Sequence, residues 1–317
     1  MVIGKRSLLT GVLLAAMVTT MTGCSQESTA PEAGKTQGTQ NVSVQPEEKK
    51  FDLEWSIQPK LGITKGDYYK IEERFRQGHL GSLEVVKNDG KIVHVEFNET
   101  GRPNYYLRYY QDVPKRMSEY NFSMGERKGA AWIQSVVMVE KQMIEKQDLT
   151  GEFDMISGAS NSVKQSMLPL AEQLEGSLNA PSKQKYYSIA EKLEGGLTGL
   201  LKIVVEDKKI VSVKYDEIFA DSPEEIDNPI LKKFYRQSKY ESVEYEEPSR
   251  IGFNVQMDAL NEQVVKTQNL LDISALPAIG DTGDYAASGY TTRNTAWDNY
   301  LRMAEQLLNE MKKDGNF

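Results

Sequence analysis

The sequence predicts an α+β protein: two tandem copies of one small domain, each an antiparallel sheet with packed helices, behind an export signal and a flexible tether. Three observations predict it. A short apolar run behind Lys5-Arg6 ends at a lone cysteine, and a polar stretch follows. Further on, alternating apolar and polar residues bracket hairpin-type turns, the mark of half-buried strands. Those runs then recur downstream at a fixed spacing, together with the helical segments that follow them.

Residues 1–23 read as a signal peptide. Lys5-Arg6 is the charged start, and Leu8 to Met21 is apolar but shorter than a membrane-spanning helix. The run ends Met21-Thr22-Gly23-Cys24, which resembles a bacterial lipoprotein signal, in which the cysteine is lipidated. Several acyl chains on Cys24 would hold the protein to the bilayer where one would not. Residues 24–50 are the lipidated cysteine and a tether of Ser, Gln, Glu, Thr, Pro, Gly and Lys with almost nothing to bury. A coil of that length lets the folded part range about 25–30 Å from the membrane.

The 317 residues hold 39% hydrophobic and 26% charged side chains, ordinary for globular material, with a formal charge of −8. Setting aside residues 1–23, which contain two of the 38 basic residues, leaves 36 basic against 46 acidic. An acidic exterior argues against nucleic acid as a partner. Two histidines and one cysteine are too few for a His- or Cys-based metal site, and one cysteine forms no disulfide within the chain.

From Tyr68 the chain repeats itself. Tyr68-Tyr69, Gly78, Gly81, Leu83 and Lys91-Ile92-Val93 are answered by Tyr186-Tyr187, Gly196, Gly199, Leu201 and Lys209-Ile210-Val211, all 118 residues on. The hairpin turns fall at Asn88-Asp89-Gly90 and Glu206-Asp207-Lys208, the first being the stronger signal. Arg108-Tyr109-Tyr110 answers Lys233-Phe234-Tyr235, and Glu119-Tyr120 answers Glu244-Tyr245, at an offset of 125. Trp132, Ile133, Val136, Val137, Val139 and Met143 make one amphipathic helix; Phe253, Met257, Leu260, Val264 and Leu271 make its counterpart. The expected domains are therefore residues 51–180 and 181–317.

One stretch organises the first copy: Asp154-Met155-Ile156-Ser157-Gly158-Ala159-Ser160. After it Val163, Met167, Leu170 and Leu174 fall at helical spacing, so Ser160 stands at a helix mouth. Local chemistry makes this a helix start capped by Ser157 or Ser160. The stretch also resembles the flavin-attachment motif of the FMN-binding domain family, Asp-x-x-Ser-Gly-Ala-Thr/Ser. In that family a flavin transferase esterifies the FMN phosphate onto the last hydroxyl. The resemblance places covalent FMN on Ser160, with Ser157, Gly158 and Ala159 forming the turn and Asp154 orienting the acceptor. A helix N-terminus suits a phosphate through its free N–H groups and dipole. In the second copy Ser288-Gly289-Tyr290-Thr291 keeps serine, glycine and hydroxyl but has tyrosine for alanine, and Asp284 stands one residue further off. Thr291 is the expected second acceptor, with Thr292 the fallback; the alternative is a degenerate copy kept for structure.

The tandem most resembles flavinylated surface lipoproteins of Gram-positive bacteria that serve extracellular electron transfer. The resemblance implies a protein anchored on the outer face of the cell membrane. It implies a quinone-linked donor in that membrane and free flavins or ferric iron as acceptors, with ferric or flavin reductase activity a corollary. The signal peptide leaves a second role open, since in some Gram-positive lipoproteins such peptides are processed into secreted signalling peptides. A covalent bond suits a cofactor outside the cell, since one held at micromolar affinity dissociates on the order of once per second. The rival reading is a tethered solute-binding lipoprotein without redox role. A hydrolase has only Ser182-x-x-Lys185 in a polar linker, or a triad through His94 or through His79, which lies in a turn where it should be solvated.

Overall fold

Apolar alternation with a two-residue turn produces both expected hairpins. The structure, a computed structural model, describes residues 56–105, 108–121, 132–156, 161–245, 252–276 and 295–317. In chain order it places β1 (Gly62–Phe75), β2 (His79–Asn88), β3 (Lys91–Thr100), α1 (Trp132–Lys146), α2 (Leu168–Glu175), β4 (Gln184–Leu193), β5 (Leu197–Glu206), β6 (Lys209–Phe219), α3 (Phe253–Thr267) and α4 (Thr295–Lys313). Asp89 and Gly90 turn the first hairpin at φ 49° and 78°; Asp207 and Lys208 turn the second at 49° and 62°. A lysine in the left-handed region costs about 1 kcal/mol, which is why the second turn reads more weakly in sequence.

The fold is α+β. All six strands join one antiparallel sheet in the order β3-β2-β1-β4-β5-β6. Pairing repeats from half to half. Asn88 faces Lys91 as Glu206 faces Lys209, and the register slips after Val86 as it does after Val204, each 118 residues on. The halves meet along β1 and β4, where Asp67 lies opposite Lys185, its own counterpart at 118. The join therefore sits close to a local two-fold axis. Tyr68 and Tyr186 stack across it with ring centroids 5.5 Å apart.

The sheet is strongly curled. Lys202 on β5 reaches Glu96 on β3 at 2.7 Å, although β2, β1 and β4 separate them. A flat sheet would hold those strands about 19 Å apart at its usual spacing. One face is therefore concave, and helices cover the other. On that covered face α1 and α3 lie over β3 and β6, while α2 packs on β1 and β2 and α4 on β4 and β5. Leu83, Val85, Phe97, Val136, Val139 and Met143 are fully buried in the first half, as are Leu201, Ile203, Tyr215, Leu260, Val264 and Leu307 in the second.

Two details fix the helices. Gln147 and Gln268, at φ 55° and 57°, follow α1 and α3. Their side chains bracket the backbone of Ile92 and Ile210, each accepting the N–H at 2.7 Å and donating to the carbonyl. Glycine then lets a helix approach the sheet. A β-carbon on Gly81 would overlap Ser166 Oγ, and one on Gly199 would crowd Met303. Ser166 belongs to a π-helical turn, Val163–Met167, that leads into α2. The sequence signalled no such turn, because Val163 and Met167 lie on one face in either geometry.

Candidate functional site

The described chain flanks the expected attachment stretch on both sides. Lys146 Nζ donates to the Glu152 carbonyl at 2.5 Å. Gln142 then brackets Asp154, accepting its N–H and donating to its carbonyl, both at 2.9 Å. Residues 152–156 therefore run back along α1 toward the end that holds Trp132 and Ser135. Asp154 is exposed, whereas Phe153 is buried and Met155 packs on the core. Helix resumes at Asn161, and Val163, Met167, Leu170 and Leu174 are all buried, as the spacing predicts. Ser157, Gly158, Ala159 and Ser160 lie outside the described residues. So do Asp284, Ser288, Gly289, Tyr290, Thr291 and Thr292, ahead of α4, and Cys24.

The first stretch leads into a helical run from Asn161 to Glu175, long enough for a useful dipole end. Trp132 and Ser135 are buried on α1, and neither Trp132 Nε1 nor Ser135 Oγ finds a hydrogen-bond partner among the described residues. Orphan donors of this kind normally meet a ligand or water. Trp297, in the first turn of α4, likewise has an unpartnered Nε1. Tyr110 is buried edge-on to Tyr120 at 5.2 Å, and Tyr105 is half-buried beside His79. Phe234 meets Tyr245 edge-on at 5.3 Å in the second half, so the structural counterpart of Tyr110 is Phe234, one residue away from the sequence alignment.

His79 corrects its sequence reading. It is not a solvated turn residue but the first residue of β2, 8% exposed. Its Nδ1 lies 3.2 Å from Glu99, which also takes the Lys115 ammonium. Burial and Lys115 push the imidazole below its ordinary value, and burial does the same to Lys115 against the pull of Glu99. Lys239 and Glu217 repeat the Lys–Glu pair at 2.5 Å, with Leu197 at the histidine's place.

The concave face holds a second cluster that sequence reasoning missed. Arg116 grips Glu140 with two hydrogen bonds of 2.7 and 3.0 Å. Lys202 holds Glu96 at 2.7 Å and Lys214 holds Glu241 at 2.5 Å. Arg116, Glu96, Lys202, Lys214 and Glu241, together with Asp216 and Asn98, line a narrow cavity of about 40 Å³ between the two ends of the sheet. Across the same seam Ser238 N donates to the Met117 carbonyl at 3.0 Å. Glu119 there accepts the Val243 and Glu244 N–H groups at 3.1 and 2.9 Å. Only the alternation of polar residues at 96, 202, 214 and 216 marks this face in sequence, and that pattern normally means solvent.

An open cleft of about 480 Å³ lies beside the β1–β4 join, lined by Lys65, Lys87, Lys185, Tyr187 and Asp314 among others. Its lysines are largely committed: Lys65 to Glu310 and Asp314, Lys185 to Asp67, and Lys87 to the Leu178 carbonyl.

No protein-family model matches the chain, and neither does any curated protein. Among solved structures the protein CPE2226 of Clostridium perfringens is similar over 36% of this chain and 92% of its own, at 26% identity and a TM-score of 0.27. That score is too low to define a shared fold.

Proposed function

We propose that this protein is a surface-anchored flavoprotein carrying covalent FMN, which relays electrons from a membrane quinone-linked donor to extracellular acceptors such as free flavins or ferric iron. One observation carries the reading: a hydroxyl closes Asp-x-x-Ser-Gly-Ala-Ser directly ahead of a helix, and a related serine-glycine-hydroxyl turn stands 131 residues on. The shared register, the paired bulges and the two glutamine brackets support treating residues 51–180 and 181–317 as two copies of one FMN-binding domain.

On this reading a flavin transferase links FMN by a phosphoester to Ser160 and to Thr291. Ser157-Gly158-Ala159 and Ser288-Gly289-Tyr290 precede those hydroxyls in sequence, and the helices that begin behind them offer free N–H groups to the phosphate. Asp154, its backbone pinned by Gln142, orients the acceptor. Bound FMN would supply the redox chemistry; the chain would supply anchoring, exposure and tuning of the ring's environment. Cys24 anchors the protein to the bilayer on the outer face of the membrane, with residues 24–50 as tether. A solute-binding role finds less support, because the cleft offers a solute few uncommitted groups.

The double variant Ser160→Ala, Thr291→Val tests the reading when produced beside an active flavin transferase. It should lose all bound flavin while its far-UV circular dichroism stays unchanged. Full flavin content in that variant would sink the covalent model.

A further inference from the structure

We propose that Asp216 closes the seam of the curled sheet as a neutral carboxylic acid, and that its ionisation releases the contact between the β3 and β6 ends. The inference concerns the described seam and stands whether or not the chain carries flavin.

The strongest argument is the counterpart at the same place in the other half. Asn98 on β3 stands 118 residues before Asp216, and both side chains line the one small cavity. Asn98 Oδ1 accepts the N–H groups of Glu99 and Arg116 at 2.8 and 3.1 Å. Asp216 Oδ1 accepts those of Glu217 and Tyr240 at 2.8 and 3.1 Å. A neutral amide does in one half what a carboxyl group does in the other. The position is therefore built for an uncharged side chain with one accepting oxygen.

Charge counting points the same way. The titratable and charged groups around Asp216, on its own face and beside it, come from several elements. β6 brings Lys214, Tyr215 and Glu217, and the segment beside it brings Ser238, Lys239 and Glu241. Lys202 comes from β5, Glu96 from β3, and Arg116, with Glu140 behind it, from across the cavity. Every cation among these already has a carboxylate: Arg116 has Glu140, Lys202 has Glu96, Lys214 has Glu241 and Lys239 has Glu217. Among the described residues no lysine or arginine is left for Asp216, which is 3% exposed. Burial raises it to about 7, and Glu241 adds to that, while Lys214 and Ser238 pull the other way. An ionised Asp216 would be an odd buried charge, and such a charge is relieved by hydration. The cavity of about 40 Å³ admits only one or two waters until the seam widens.

The sign follows from linkage. The folded state binds this proton more tightly than the unfolded or opened chain does. Closure is therefore strongest below the ordinary aspartate value of 3.8 and weakens as pH rises through about 7. In that window opening should increase by up to about tenfold per pH unit.

The test is hydrogen exchange on the full-length protein in detergent at pH 5 to 8, corrected for intrinsic exchange. The reporters are the N–H groups of Ser238, Lys239 and Tyr240, which donate to the Met117 carbonyl, the Glu217 carbonyl and Asp216. Their protection should fall with pH in the wild type and stay flat in Asp216→Asn. Equal pH dependence in the two proteins would overturn the proposal. Should Asp216→Asn fold poorly, the carbon-13 shift of the Asp216 carboxyl group decides in the wild type. Titration near 7 supports the latch, and titration near 4 refutes it.

Discussion

Replacing Lys202 by methionine should show how the two halves are held together. The Lys202 ammonium spans the seam to both oxygens of Glu96, at 2.7 and 2.8 Å, with side chains only 16% and 17% exposed. Methionine keeps most of the packing but leaves Glu96 buried without its cation. Removing one partner of a buried pair costs about 3–5 kcal/mol. Arg116 still attracts Glu96, so the expected loss is near the lower end, about 3 kcal/mol. That corresponds to a fall in Tm of about 6–12 °C for a protein of this size. The double variant Lys202→Met, Glu96→Leu removes the stranded charge and should return to within about 1 kcal/mol of wild type. The pH dependence should also reverse. In the wild type, burial works to raise Glu96, but Lys202 holds it below its ordinary value, so its contribution is lost as pH falls. Without Lys202, burial raises it and stability falls as pH rises. Urea unfolding of wild type and the two variants at pH 3, pH 5 and pH 8, each variant read against wild type at the same pH, measures all three effects. A Lys202→Met penalty under about 1 kcal/mol, or a double variant as weak as the single, would refute a closed, charge-paired seam.

Gln147→Ala and Gln268→Ala should each cost about 1–3 kcal/mol, because each strands the backbone groups of a buried isoleucine; urea unfolding of both variants checks the expectation that the two losses match. Cys24→Ala should move the protein from the membrane fraction to the medium, read by fractionation and immunoblot; retention at the membrane would disprove the anchor.

What could be read from sequence was local. Alternation from Leu83 to Val95 and from Leu201 to Val213 marked the hairpins. The helical spacing of Val163, Met167, Leu170 and Leu174 marked the face that the structure buries. The join was hidden. Nothing in Gly62–Asp67 announces that it pairs with Lys185–Ala190 rather than forming an edge, because backbone pairing leaves no residue signature. The concave cluster was hidden for a related reason. Glu96, Lys202 and Asp216 look like solvent-facing strand positions until curling brings them together. His79 misled because glycines on both sides suggested a turn, whereas Glu99 and Lys115, distant in sequence, close over it. The attachment motifs remain the part carried by sequence: Asp154 is placed, and the acceptors Ser160 and Thr291 lie outside the described residues.

The central claim is covalent flavin, and a denatured mass spectrum of the mature protein, made beside its flavin transferase, tests it most directly. The account predicts two added FMN units, mapping to the peptides that contain Ser160 and Thr291. One unit on the Ser160 peptide alone would contradict the second site. An unmodified mass, with the transferase active on another substrate, would contradict the account as a whole.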